Sequence, residues 1–301
     1  MKGLVIGFGN MGLTHCERYA AMGVEVAVVD IDPAGRENAR ARGLRVYGSL
    51  DEMTPDSVGF FDICSPTHLH YAQIRAVGLH GKPIFVEKPL VRTPEELAAL
   101  RRDPPNAPLF VGEVEHYNPS LASFLSYSGQ PYSVQVRREV DLDFFTLGTT
   151  PWFLNETLSG GIVLDLMIHD LNLLVSKFGR PRVCAVTGRR VRHPCVDEVH
   201  AQLAFPDFGA TVFSTWAATP GSSPVRATLR IEDADGWHEA RCDDYAIRER
   251  PLDQDPFHRE LKAFLKMVDG TREAMNLHAY LEAMEVAFEI RARLSARTPT
   301  G

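Results

Sequence analysis

The chain reads as an α/β protein of two domains. A doubly wound parallel sheet comes first, and an α+β domain with a large, mostly antiparallel open sheet follows. Three observations predict this. Over roughly the first 118 residues, short apolar runs alternate with helical stretches, as in a parallel sheet covered by helices on both faces. Strand-like runs then dominate from Val134 to Cys242. At 301 residues the chain is long enough for two cores. The expected domains are residues 1–118 and 119–301, with the two closing helices able to pack back on the first.

Residues 2–6 read as a strand, 11–22 as a helix and 24–29 as a strand, with Gly23 where a helix C-terminal cap is wanted. Weaker units follow: a helix at 33–42, a short strand at Val46 and a strand from Gly59 to Cys64. A helix at 68–80 and a strand at 83–86 come next. Thr93-Pro94-Glu95-Glu96 has an N-cap, a proline for the first helical position and a glutamate to complete a capping box, so a helix opens there. Composition shifts at Pro104-Pro105 and again at Asn118-Pro119. The second sheet is expected from runs at 134–140, 182–191, 200–205, 209–216, 227–232 and 236–242, with turns at Pro206–Gly209 and Asp233–Gly236. Helices are expected at 160–178, 257–268 and 277–295.

Apolar residues make up 45% of the chain and charged residues 24%, the balance of a globular protein. A net charge of −7 disfavours nucleic acid or an anionic membrane as the main partner. Arg189, Arg190 and Arg192 form only a short cluster, read as a solvated strand end. Met1 and Lys2 lead straight into Leu4-Val5-Ile6, so no targeting segment is expected, and no run approaches a membrane span. Five widely spaced cysteines without a Cys-x-x-Cys pair point to reduced thiols and a cytoplasmic location.

Gly7-Phe8-Gly9-Asn10-Met11-Gly12 is a Gly-x-Gly-x-x-Gly string. Alone it says little, but here it follows a strand and opens a helix. Asp30 ends the second strand 18 residues beyond Gly12. Gly7 permits the tight turn, Gly9 lets the backbone approach a pyrophosphate and Gly12 lets helix and strand pack closely. The helix N-terminus adds unpaired N–H groups and partial positive charge. This is the layout of a Rossmann-type dinucleotide site. Asp30 would accept hydrogen bonds from ribose hydroxyls and repel a 2′-phosphate, favouring NAD over NADP. Asp32 adds to that repulsion, and Arg36 opposes it. A flavin or S-adenosylmethionine is the competing ligand.

Strand 83–86 runs into Glu87-Lys88-Pro89, and ligands of parallel sheets sit beyond the carboxyl ends of strands. Lys88 there can stabilise a developing alkoxide; a cis bond to Pro89 is possible. Ser65-Pro66-Thr67-His68-Leu69-His70 follows another strand end, so Ser65, Pro66, Thr67, His70 and Glu87 are taken to border the cofactor. His68 and His70 lack an obvious third ligand, and no metal is expected. Within the apolar helix 160–178, Asp165, His169, Asn172 and Ser176 fall at i, i+4, i+7 and i+11 and share one face. Such a stripe is either a paired core network or the wall of a site.

Gly7–Gly12 with Asp30, Glu87-Lys88-Pro89, Gly160-Gly161 with Asp165 and His169, and the closing Phe257-x-x-Glu260-x-x-x-Phe264 together resemble the Gfo/Idh/MocA oxidoreductase family across nearly the whole chain. The resemblance implies a catalytic trio of Lys88, Asp165 and His169, with hydride passing between a ring carbinol and the nicotinamide. His169 would be the general acid/base, Lys88 would polarise the oxygen, and Asp165 would bind a hydroxyl. The roles of Lys88 and His169 are exchangeable on this evidence. The sequence departs from the family pattern at Ile162, Met167 and Asn172. His116 and Tyr117, in the crossover Glu115–Pro119, are candidate substrate neighbours together with Asn172. The implied substrate is a sugar, cyclitol or sugar derivative. A nucleotide sugar is an alternative, as are a non-catalytic NAD-binding regulator and a glycosidase that uses NAD transiently. A homodimer or homotetramer is expected, formed through a sheet face carrying Val212, Phe213 and Trp216.

Overall fold

The computed structural model describes residues 2–54, 57–146, 152–219, 223–243, 250–271 and 277–296. It divides into two units. One comprises Met1–Tyr117 with Pro251–Leu277, the other Asn118–Arg250 with His278–Gly301.

The first unit holds a six-stranded parallel sheet in the order β3-β2-β1-β4-β5-β6. Its strands are β1 (Lys2–Ile6), β2 (Glu25–Val29), β3 (Arg45–Tyr47), β4 (Phe60–Ile63), β5 (Ile84–Val86) and β6 (Leu109–Val111). The helices α1 (Asn10–Ala21), α2 (Pro33–Ala41), α3 (Thr67–Gly78) and α4 (Pro94–Arg102) alternate with them. Local chemistry sets the ends. Gly23 takes a left-handed φ of 70° after α1, Asp32 caps α2 ahead of Pro33, and Thr93 and Glu96 form the expected capping box of α4. The sequence reading passed over β6, which is three fully apolar residues behind a proline-rich stretch, too short to show a period.

The helix α9 (Pro256–Val268), one of the two closing helices, belongs to the first unit. Phe264 packs against Phe60 at 5.3 Å and Phe85 at 5.4 Å between ring centroids. Arg18 of α1 donates to Asp255, and Asp255 in turn accepts from the N–H groups of Phe257 and His258 at the start of α9.

The second unit contains β7 (Ser133–Val140), β8 (Arg182–Arg189), β9 (Glu198–Ala204), β10 (Gly209–Thr215), β11 (Val225–Asp233) and β12 (Gly236–Cys242). Their order is β12-β11-β7-β10-β9-β8, and every pairing is antiparallel except β7 with β10. The short helices α5 (Ala122–Ser126), α6 (Leu142–Thr146) and α7 (Glu156–Ser159) precede α8 (Ile168–Phe178), and α10 (Leu277–Ser295) comes last. The stretch Glu156–Phe178 is long and apolar enough to cross a membrane, but 89% of its most apolar window is buried inside the protein, as in a core helix.

The apolar face expected on this sheet is not exposed. Val212 and Trp216 are each 1% exposed, and the alternation of β10 turns them to the covered side. Phe213 points the other way, beneath the guanidinium of Arg137 at 4.1 Å and beside His200. That face is otherwise polar, carrying Gln135, Thr211, Gln202 and His200.

Candidate active site

The glycine loop has the shape its sequence requires. Gly7 has φ +96°, and a Cβ on Gly12 would lie 2.0 Å from the Gly7 carbonyl oxygen. A Cβ on Gly9 would meet nothing within 4 Å, so the space over the start of α1 is open. Gly9 is the N-cap of α1 and supplies no capping side chain, which leaves the leading N–H groups for an anion. Asn10 and Met11 begin the helix. Phe8 contributes backbone only: its ring is 4% exposed, and its N–H donates to Asp30 Oδ2 at 2.6 Å. The second Asp30 oxygen accepts from the Asp32 N–H at 2.7 Å. Arg36 spends its guanidinium on the carbonyls of Asp30 and Ile31. Next to Asp30, Ile31 is 78% exposed at the mouth of the site, an apolar residue that the sequence reading did not single out. An open glycine cradle, an uncapped helix start and a fixed carboxylate suit a dinucleotide.

Lys88 follows β5 and is joined to Pro89 by a cis bond. Ser65 follows β4 by one residue, with its hydroxyl on Gln73, and Pro66 and Thr67 start α3. His70 was expected to face the cofactor; it is 1% exposed and ties these two turns together instead. Its Nδ1 lies 2.8 Å from the Pro89 carbonyl and its Nε2 2.8 Å from the Ser65 carbonyl. Burial lowers its pKa against the pull of both carbonyls. Glu87, also taken as a cofactor neighbour, is 7% exposed and turned inward, where Oε2 accepts from the Lys88 N–H at 3.1 Å and Oε1 lies 3.1 Å from His15 Nε2.

Behind this turn lies a buried polar cluster that the sequence reading missed. His15 and Asp62 are each 0% exposed, with Nδ1 2.9 Å from Oδ2. Cys64 Sγ lies 3.2 Å from the same nitrogen and donates to Asp62 Oδ1 at 3.2 Å. His15, Asp62 and Cys64 could in principle present three ligand atoms to a metal. Their mutual distances are hydrogen-bond distances, shorter than the separation of tetrahedral zinc ligands held at about 2.0–2.3 Å from the ion. The only available signal in the sequence was His15 lying on the buried side of α1 and Asp62 interrupting an apolar strand.

His116 and Tyr117 lie in the turn Val114–Tyr117. The Tyr117 ring stacks on Phe110 at 6.5 Å, so one of its faces packs against the core.

In the second unit, Gly160 and Gly161 take left-handed φ values of 83° and 71° between α7 and the helical stretch that follows. Ser159 holds this corner, accepting from the Gly161 N–H and donating to the Phe153 carbonyl. Ile162, where the family pattern has a third glycine, is already right-handed helical, so no glycine is needed. Residues Val163–Met167 form a π turn and Asp165 lies inside it. The extra residue in that turn rotates everything ahead of it relative to α8, and such turns recur at functional sites. Asp165 is half-buried, His169 is 9% and Asn172 2% exposed, while Ser176 is exposed. The straight four-residue stripe is therefore not one environment. Met167, another departure from the family pattern, is 0% exposed. Asp170, which the sequence reading overlooked, is wholly buried against Arg138 of β7. Nε lies 3.0 Å from both carboxylate oxygens, and Nη2 donates to Oδ1 at 2.8 Å.

Two family profiles match the chain. The one described as an oxidoreductase family with an NAD-binding Rossmann fold covers residues 1–102, and the GFO/IDH/MocA C-terminal domain covers 127–236. A UDP-N-acetylglucosamine 3-dehydrogenase of Acidithiobacillus ferrooxidans is 27% identical over 178 residues, 58% of this chain and 53% of that one. The match thus spans about half the length of that curated relative. An inositol 2-dehydrogenase of Rhodococcus jostii is 37% identical over 92 residues, 29% of this chain and 25% of that one. Among solved structures, the WlbA (WbpB) dehydrogenase of Thermus thermophilus, in complex with NAD and UDP-GlcNAcA, superposes with a TM-score of 0.76 at 20% identity. That alignment covers 97% of this chain and 94% of the other, and it shows a shared fold.

Proposed function

Because the chain belongs to the Gfo/Idh/MocA oxidoreductase family, we propose that it is an NAD-dependent dehydrogenase acting on a ring CH–OH of a sugar, cyclitol or sugar derivative. The observation that carries this reading is the turn after β5. Lys88 stands at the carboxyl end of a parallel strand, on a backbone held from one side by Glu87 and from the other by His70 through Pro89. Bound NAD supplies the nicotinamide that exchanges hydride with the carbinol carbon. The Lys88 ammonium binds the carbinol oxygen and stabilises the negative charge that develops as its proton leaves. His169 takes that proton as the general base. Asp165 accepts a hydrogen bond from a second substrate hydroxyl, and Asn172, His116 and Tyr117 are the further substrate neighbours. Asp30, aimed at the ribose hydroxyls and unfavourable to a 2′-phosphate, supports NAD over NADP. Ile31 offers an apolar surface to the adenine.

A nucleotide sugar is the second reading. It is favoured by the 178-residue match to a relative named as a UDP-N-acetylglucosamine 3-dehydrogenase. Retention of Lys88, Asp165 and His169 speaks against a regulator without chemistry. We read the active form as a homodimer or homotetramer, which a monomeric mass by light scattering at micromolar concentration would refute. A cytoplasmic location is supported by five cysteines, none in a disulfide.

The test is a screen for NADH formation over sugars, inositols and nucleotide sugars, repeated with Lys88→Ala. The expected result is NADH with one class and its loss in the variant while NAD still binds. No reduction with any of them, or an unchanged variant, overturns the assignment. NADH accumulation also separates a net dehydrogenase from a transient redox glycosidase.

A further inference from the structure

The turn bearing Lys88 rests on a buried row of alternating charge. Both ring nitrogens of His15 face carboxylates, Nδ1 at 2.9 Å from Asp62 and Nε2 at 3.1 Å from Glu87. A neutral imidazole has one nitrogen that only accepts, and here it would meet an oxygen that also only accepts. Nδ1 makes a hydrogen bond to Asp62, whereas Nε2 meets Glu87 as a close charge contact off the hydrogen-bond line, and a doubly protonated ring attracts both carboxylates. Phe85 meets the ring edge-on at 5.1 Å and Tyr19 at 6.5 Å, and neither His15 nor Asp62 reaches solvent. Glu87 then passes the charge on, since its second oxygen accepts from the Lys88 N–H.

We propose that His15 is a positioning residue for Lys88: its imidazolium, clamped by Asp62, keeps Glu87 ionised and fixed behind the lysine. The consequence for turnover rests on the dehydrogenase reading above; the charge states do not.

The groups around the row fit this assignment. Burial works to lower the pKa of His15, and Cys64 and Asp62 overcome it, raising it well above the usual value. The Cys64 thiol is itself pushed up by burial and by Asp62. Burial acts to raise Glu87, but hydrogen bonding and attraction from His15, with Lys88, bring it below the usual carboxylate range. From α9, Glu260 approaches Glu87 and its pKa is driven up by burial and by that carboxylate. It accepts from the N–H of Glu113, the remaining carboxyl in the cluster. Cys16, on the same helix as His15, is pushed up to about 12 by burial and Asp62. With three other carboxyl groups close by, Glu87 has His15 and Lys88 as the cations that hold it ionised. Without His15 its carboxyl titrates at higher pH.

Ring-nitrogen NMR of the full-length protein labelled in its histidines reads the charge directly. His15, assigned by its loss in the His15→Gln spectrum, is expected to hold protons on both nitrogens between about pH 6 and 8. A neutral ring overturns the proposal. In Glu87→Gln the ring is expected to lose its second proton at a lower pH than in the wild type, and an unchanged titration counts against the proposal. In turnover, His15→Gln is expected to move the acid limb of the kcat/KM profile up by about one pH unit or more. An equal loss at every pH marks a merely structural residue. If the wild type reduces no NAD with any polyol, the dehydrogenase reading fails, and the ring protonation by itself decides this proposal.

Discussion

Arg138 of β7 grips Asp170 of α8 through a bidentate pair with distances of 2.8 to 3.0 Å, both side chains at 2% exposure or less. Asp170 directly follows His169 in the chain, so this pair anchors the helix that carries the proposed site residues His169 and Asn172. Losing one partner strands a buried charge. Asp170→Ala is expected to cost about 3–5 kcal/mol in urea unfolding, whereas replacing both residues by apolar ones of similar volume costs much less. Equal costs for the single and double variants would count against the pair as the anchor.

The glycine loop separates stability from binding. Gly12→Ala drives a methyl into the Gly7 backbone, so it is expected to lower the melting temperature and abolish NAD binding together. Gly9→Ala meets open space, and its stability is expected to stay within about 0.5 kcal/mol of wild type while NAD binding weakens, because the methyl occupies the approach of the pyrophosphate. Thermal melts with and without NAD distinguish the two. Identical behaviour of both variants would contradict the loop geometry.

Asp30 holds the Phe8 and Asp32 N–H groups, and in the proposed site it also presents a carboxylate to ribose. Charged hydrogen bonds contribute about 1.5–3 kcal/mol, so Asp30→Asn is expected to weaken NAD binding by roughly ten- to a hundredfold. NADP should lose less, which narrows the preference. Calorimetric titration with both nucleotides reads this, and an unaltered ratio would show that Asp30 does not discriminate.

Asp197 gives a pH-dependent element in the second unit. Burial would raise its pKa, but the N–H groups of Val191, Arg192 and His193, together with the His193 ring, hold it below the usual value. A depressed carboxylate favours the fold above the unfolded pKa near 4, and that contribution is lost as pH falls through the lower folded value. The stability gap between wild type and Asp197→Asn should therefore be full at neutral pH and close below about pH 4. A gap independent of pH would remove the carboxylate's charge from the account.

The cysteines should divide cleanly. Cys184 is exposed, whereas Cys16, Cys64, Cys195 and Cys242 are buried, with Cys195 pushed up to about 11 by burial and nearby carboxylates. A thiol reagent is expected to modify one cysteine rapidly in the native protein and five after denaturation. Fast reaction of a second thiol would contradict the burial.

Much of this protein was legible locally. Alternation and caps are properties of neighbouring residues, so β1, α1 with its glycine loop, the Thr93 capping box and the six strands of the second sheet could be read in order. Lys88 could be placed for the same reason, since a strand end and the turn after it are adjacent in sequence. What escaped were relationships between distant positions. The helix α9 reads locally as an amphipathic segment, and its contacts with the first unit, Phe264 among Phe60, Phe85 and Phe110 and Asp255 with Arg18, are made with residues far away in sequence. The π turn at Val163–Met167 escaped because a helical period computed from sequence assumes an unbroken repeat.

The sequence by itself determined where strands end and helices start, and hence which residues stand at the mouth of a dinucleotide site. Tertiary structure decided which polar groups lie behind that mouth. His15, Asp62 and Glu87 come from one helix and the ends of two strands, separated by up to 72 residues between His15 and Glu87. Their charges depend on one another once water is excluded. A residue's partner and protonation state are properties of that enclosed geometry, which no local pattern encodes.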